Sequence, residues 1–268
     1  MLAGVFLAQK KDNSIYYRSS ITYKSKHISL GSYIDEESAH QAYLLAVKLI
    51  FDKKHFAPDP FFEIEHHSRF APEIPFDKWV MLINLRDNAM YCKTPVYLCH
   101  RYFIYYFDAA THFKFDVDDL FYYTSHKIMR RGGHLFVSDY GMQINILSRY
   151  GIKNHAVPGR DYIFANGDTT DFRYGNIKII TKYRGVSKSL KNGHEVYTAK
   201  IHVNGDIIIG RYPTETEAAV AYNKAASILA ANGITINYVQ NYVEELDDVE
   251  YAKIYNRLRI SKKIFETK

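Results

Sequence analysis

Between His194 and Tyr212 apolar and polar side chains alternate. Tyr197, Ala199, Ile201 and Val203 share one face, and Thr198, Lys200 and His202 share the other. That period of two is the pattern of a half-buried strand. Asn204-Gly205 predicts a two-residue hairpin turn, after which Ile207 and Ile209 continue the apolar face while Ile208 points the other way. Thr214 followed three residues later by Glu217 predicts a capping box. Ala218, Ala221, Tyr222, Ala225 and Leu229 then recur at helical spacing, and Gly233 stops the helix.

The same succession occurs near the start of the chain. Tyr17, Ser19, Ile21 and Tyr23 alternate with Arg18, Ser20, Thr22 and Lys24, and Ile28 and Leu30 form the inner face of the next strand. Asp35 caps a helix carrying Ala39, Ala42, Tyr43, Ala46, Val47 and Ile50. A separation of roughly 180 residues marks a duplicated module and not a solenoid.

Between the copies, Pro58, Pro60, Pro72 and Pro75 predict a linker or strap over 57–76. From Phe76 to about Ile180 aromatics are dense, and after Asn241 the stretch Glu244–Arg259 reads as one helix, acidic first and basic last. The expected organisation is a divergent module at 1–56, the linker at 57–76, a middle domain at 77–180, a second module at 181–242 and a helix within 243–268. The fold class is α+β: two modules of a three-stranded antiparallel sheet plus one helix, flanking an α+β domain.

Composition narrows the function. With 24 Tyr and 16 Phe the chain can bury a core. The net charge is +6, spread as +2 over 1–60, +1 over 61–180 and +3 over 181–268, so the two modules lean towards a polyanion without any basic tail. Cys92 and Cys99 are too few for a disulfide framework. No stretch approaches the roughly 20 apolar residues of a membrane span, and the chain reads as cytoplasmic, at the nucleoid.

Tyr183-Arg184-Gly185-Val186, Ala199-Lys200-Ile201-His202, Ile209-Gly210-Arg211-Tyr212 and the helix Thr214–Tyr222 together resemble the APETALA-two/ethylene-response-factor DNA-binding domain. Gly4-Val5, Ser20-Ile21-Thr22, Leu30-Gly31-Ser32-Tyr33 and Glu37–Tyr43 resemble it more loosely. The resemblance implies that the outward face of each sheet meets double-stranded DNA. It implies contacts from Arg184, Thr198, Lys200 and His202 in the second module, and Lys188, Lys191 and Arg211 nearby are added as candidate contacts. In the first the equivalent outward residues are Arg18, Ser20 and Thr22, flanked by Lys10, Lys11, Lys24 and Lys26 as further candidates. Ser187 and Ser189 stand where that family carries further arginines, and its tryptophans are absent, so arginine–guanine readout is thinner.

Asp161-Tyr162-Ile163-Phe164-Ala165-Asn166-Gly167-Asp168, then Asp171-Phe172-Arg173 and Asn176-Ile177, resemble the closing motif of HNH homing endonucleases. On that alignment Phe164 stands at the position of the base and Ile163 at a ligand position, while Ser148 replaces a further histidine. Neither Phe nor Ile can take a proton or hold a metal. No catalytic residue, metal ligand or cofactor is therefore assigned, and Arg173 is retained as a phosphate contact or brace. The expected function is a sequence-specific DNA-binding protein, a transcriptional regulator derived from a mobile HNH endonuclease that no longer cleaves. The alternative is an active nicking or homing enzyme using His155 with Asp161. RNA is disfavoured, because the middle tyrosines lie in apolar runs.

Overall fold

Alternating strands and a capped helix build both copies of the repeat. The structure is a computed structural model and describes residues 1–52, 56, 59–154 and 156–267. It is an α+β chain of small antiparallel sheets. Two compact units form, one from residues 1–145 and 168–174, the other from 146–167 and 175–268. The region expected as one middle domain is thus divided between them.

In the first unit β1 (Val5–Gln9), β2 (Ile15–Tyr23) and β3 (Lys26–Tyr33) form a meander. Helix α1 (Glu36–Phe51) packs on it, its first turn capped by Asp35, whose carboxylate accepts the Ser38 N–H at 2.7 Å. Ile21, Ile28 and Leu30 meet Ala42, Ala46 and Leu49 in the core. The small alanines let helix and sheet approach closely.

Residues 57–76, expected as a linker, are largely helical where they are described, and Pro58 lies outside the described residues. Asp59 caps α2 (Pro60–Glu65) by accepting the Phe61 N–H at 2.9 Å, with Pro60 in the first turn, where its missing N–H costs nothing. After α3 (His67–Phe70), Ala71 and Ile74 join Ile64 in the same core. Helix α4 (Phe76–Asn88) adds buried Trp79, Val80, Leu82 and Ile83. Trp79 Nε1 donates to the Glu63 carbonyl at 3.1 Å, and the buried Glu63 carboxylate pairs with Arg86 at 2.7 Å.

Two further three-stranded sheets complete this unit: β4 (Val96–Leu98), β5 (Tyr102–Tyr106) and β6 (His112–Asp116), then, after α5 (Leu120–Tyr123), β7 (Ile128–Arg131), β8 (His134–Asp139) and β9 (Met142–Asn145). Residues 168–174 lie along β6, with Lys114 N–H to the Thr170 carbonyl at 3.0 Å and Phe172 N–H to the Lys114 carbonyl at 2.8 Å. Much of the dense aromatic run is core. Phe115 stacks between Tyr123 at 4.4 Å and Phe172 at 5.4 Å, and Phe103, Tyr105 and Tyr123 are fully buried.

The second unit holds the hairpin β10 (Tyr162–Phe164) and β11 (Ile177–Ile179), then β12 (Val186–Lys191), β13 (His194–His202) and β14 (Asp206–Tyr212), and α6 (Glu215–Ala231). The tight hairpin turn is not the expected one. Asn192-Gly193, with φ of +51° and +78°, closes β12 onto β13. His202 pairs with Asp206, so the loop at Asn204-Gly205 has three residues and includes Val203.

Thr214 caps α6 as expected, accepting the Glu217 N–H at 3.2 Å. The reciprocal half of the box is not made, because the Glu217 carboxylate takes Arg257 Nη2 at 2.7 Å instead. The single helix expected over Glu244–Arg259 is shorter, α7 (Asp248–Arg257), followed by α8 (Lys262–Glu266). The capping box forms here, between Asp247 and Glu250. Lys224 Nζ reaches the carbonyls of Tyr255 at 2.7 Å and Leu258 at 3.0 Å, holding the tail on α6. With the sheet on one side and the tail on the other, α6 is buried nearly all round, through Ala219, Val220 and Ala226 as well as the predicted stripe.

The two modules match in detail. Register shifts from Ser19↔Gly31 to Ser20↔Ser29, and from Ala199↔Gly210 to Lys200↔Ile208. Leu30 and Ile209 are therefore the extra residues of equivalent bulges. No helix among the described residues is long and apolar enough to cross a membrane.

Candidate nucleic-acid interface

In the second module the sheet's inner face, Val186, Ala199, Ile201 and Ile209, is covered by α6. The outer face carries polar cross-strand rows. Ser187, Thr198 and Arg211 lie side by side, Lys200 stands opposite Ile208, and His202 opposite Asp206. Lys191, Lys200, His202 and Arg211 are exposed and Thr198 is half-buried. His202 Nδ1 lies 3.0 Å from Asp206 Oδ1, a contact that holds the Asp206 carboxyl below its ordinary range.

Lys188 departs from this face. It pairs in register with Tyr197, which pairs with Tyr212, a core residue, so Lys188 lies on the helix side of the sheet. There its ammonium is 2.5 Å from Glu195 and 5.7 Å from the centre of the Tyr197 ring. Strand parity decides the point, since only odd positions of β12 after Val186 share the side of Thr198.

Arg184 precedes β12, and its backbone is clamped. Asn241 Oδ1 accepts the Arg184 N–H at 2.7 Å and Asn241 Nδ2 donates to the Arg184 carbonyl at 3.1 Å. Asn241 is itself held by buried Asn223 of α6, whose Nδ2 donates to the Asn241 carbonyl at 2.8 Å and whose Oδ1 accepts the Asn241 N–H at 2.7 Å. The helix thus fixes the point at which Arg184 leaves the sheet.

Arg184, Ser187, Lys200, His202 and Tyr238 border a cavity of about 400 Å³. A further cation enters it that the repeat pattern does not reveal, Arg160, from the segment before β10. Arg160 grips Asp161 through Nε at 2.8 Å and Nη2 at 2.7 Å. The Val157 N–H at 2.8 Å and the Thr181 hydroxyl at 3.1 Å also donate to Asp161. Burial works to raise the Asp161 carboxyl, but these donors outweigh it and leave it below the usual carboxylate range.

A folded-state value below the unfolded one of about 4 means that Asp161 contributes stability fully above that pH. The contribution is lost as pH falls through the folded value. Urea midpoints of the full chain at pH 6 and pH 3 should therefore drop less for Asp161→Asn than for the native sequence. An equal drop in both would remove Asp161 from the acid response.

In the first module Arg18 and Thr22 are exposed on the outer face. Arg18 Nη2 donates to the Tyr16 hydroxyl at 2.6 Å. Ser20, expected outward for contact, is 6 % exposed. The short side chain at this bulge position is covered, where its counterpart Lys200 reaches solvent. Lys10 and Lys11 lie in the loop after β1, and Lys24 in the turn between β2 and β3. Lys26 pairs with Tyr23 and its ammonium lies 5.9 Å from the Tyr91 ring, on the core side of the sheet.

The HNH-like segment supplies a turn and a brace. Phe164 ends β10 opposite Ile177, Ile163 faces Lys178, the Asn166 N–H donates to Asn176 Oδ1 at 2.8 Å, and the Gly167 N–H to the Phe164 carbonyl at 3.0 Å. Arg173 belongs to the first unit, where it grips Asp171 at 2.6 and 2.8 Å and lies 5.3 Å from the Tyr102 ring. The Asp161 carboxylate, the proposed relocated ligand, is taken by Arg160, Val157 and Thr181. His155 lies outside the described residues. Among those described, no three His, Cys, Asp or Glu side chains converge in a metal-holding group.

No family profile matches the chain. An ethylene-responsive transcription factor of Arabidopsis thaliana, WRI1, is 36% identical over 69 residues. The aligned part is 25% of this chain and 16% of that protein's length.

Proposed function

We propose that this chain is a sequence-specific binder of double-stranded DNA and acts as a transcriptional regulator. The observation that carries the reading is the outer face of β12–β14. Thr198, Lys200, His202 and Arg211 stand there in cross-strand rows, with Arg184 anchored beside them. Hydroxyls and cations on one sheet face suit contacts to base edges and phosphates. The partial similarity to a protein named as a transcription factor points the same way. The first module adds backbone grip through Arg18 and Thr22.

Descent from an HNH endonuclease without cleavage is part of this proposal, supported by the motif around Asn166-Gly167 with Phe164 in place of a base. Incubation of supercoiled DNA with the chain and magnesium or manganese should leave it uncut. A nick abolished by His155→Ala would replace this reading with the active-enzyme alternative.

The central test is a duplex selected by the full chain from random DNA. Lys200→Ala should bind it about tenfold more weakly, the loss of one charge-assisted contact, while the urea midpoint stays unchanged for an exposed side chain. Unchanged affinity on every duplex tested would reject the sheet face as the reading surface.

A further inference from the structure

We propose that Arg160 extends the DNA-contact surface beyond the sheet module, and that the cavity it shares with Arg184, Lys200 and His202 seats one backbone phosphate of the bound duplex. The inference rests on the DNA-binding reading above, and it adds a residue and a ligand group outside the repeat.

Four cation-capable side chains border one cavity of about 400 Å³, room for a phosphate with part of its sugar. Asp206, the carboxylate that also lines it, is engaged by His202. Arg160 is paired with Asp161 and His202 with Asp206, while Arg184 and Lys200 make no salt bridge among the described residues.

Arg160 is also pre-oriented. Its Nε–Nη2 edge is held by Asp161, a carboxylate that is itself 5 % exposed and fixed by Val157 and Thr181. Among the described residues Nη1 makes no hydrogen bond, and the side chain is half exposed. A guanidinium held on one edge with its other donors free costs little further entropy when a phosphate arrives. Ser187 and Tyr238 also line the cavity. Tyr238 donates to the His202 carbonyl at 2.8 Å, which ties the segment after α6 to the rim.

A phosphate contact carries no base information, so its loss should act alike on every sequence. The affinity of the full chain would be measured between 50 and 200 mM KCl on two duplexes, the one it selects from random DNA and a scrambled version. Arg160→Gln should weaken both by about tenfold and flatten the slope of log affinity against log salt by about 0.9. Arg160→Lys, which keeps the charge, should restore the slope and guards against loss of fold in the glutamine variant.

If the native chain binds and Arg160→Gln keeps both its affinity and its slope, Arg160 is not a contact while the DNA reading stands. A flattened slope in Arg160→Lys as large as in Arg160→Gln would also overturn the proposal. A native chain that binds neither duplex would remove the DNA reading itself, and this proposal with it.

Discussion

Gly185→Ala should lower the stability of the unit built from residues 146–167 and 175–268 by about 3 kcal/mol. Gly185 sits at φ +72°, and a Cβ there would lie 2.4 Å from the Lys200 carbonyl oxygen and 2.4 Å from the Tyr222 ring. The left-handed backbone alone costs a side chain roughly 1–2 kcal/mol. Crowding a packed contact adds about 1–3 kcal/mol more. Neither neighbour can yield easily. The carbonyl belongs to β13, whose Lys200 N–H bonds the Gly185 carbonyl at 2.7 Å, and Tyr222 is buried on α6.

DNA affinity should fall with stability, because Arg184 and Lys200 are the residues displaced. The repeat offers an internal control. Gly4 has φ +74° with the Tyr43 ring 2.1 Å from a notional Cβ, so Gly4→Ala should destabilise the first unit comparably and leave the second module's contacts in place. Urea titration with intrinsic fluorescence would read both. A loss under 1 kcal/mol in Gly185→Ala would show that the glycine–tyrosine approach is not what closes the module.

Asn223→Ala should cost about 3 kcal/mol as well, by a different route. Asn223 is 2 % exposed and donates from Nδ2 to the Asn241 carbonyl at 2.8 Å and to the Tyr251 hydroxyl at 2.9 Å. Its Oδ1 accepts the Asn241 N–H at 2.7 Å. Alanine would strand the Asn241 N–H and carbonyl in a buried site, each worth about 1–3 kcal/mol when unsatisfied. Asn241 would then hold Arg184 less firmly. Weaker DNA binding is therefore expected even under conditions where the variant is fully folded. Ser227→Ala, on the same helix, removes a hydroxyl bonded to the Asn223 carbonyl at 3.1 Å but orphans no buried backbone group of Asn241. It should stay within about 0.5 kcal/mol of the native chain. Equal stability of Asn223→Ala and the native chain would show that the 223–241–184 relay is incidental.

Both modules were legible because their signals are local. Period-two alternation, an Asp or Thr cap and an alanine stripe each act within a few residues. Strand parity would also have put Lys188 with Tyr197 on the inner side, and Asp59-Pro60 is a cap followed by a first-turn proline. Both signals are as local as the others, but clustered prolines also fit a linker and neighbouring lysines also fit one surface. Ser20 is different. Nothing in its neighbours announces that the outward position of a bulge is covered in one copy and open in the other.

Taken alone, the order of residues determined two sheet-and-helix modules, the duplicated pattern between them, and the polar face of Thr198, Lys200 and His202. All of these follow from side-chain periodicity and capping, which depend on sequence neighbours. The tertiary structure decided what depends on distant partners: the anchoring of Arg184 through Asn223 and Asn241, the division of the middle region between two units, and the entry of Arg160 into the second module's cavity. The physical reason is that a guanidinium's direction is set by the carboxylate it meets. Asp161, the next residue in sequence, is oriented by Val157 four residues back and by Thr181, and the Thr181 contact exists only once the hairpin of β10 and β11 has closed.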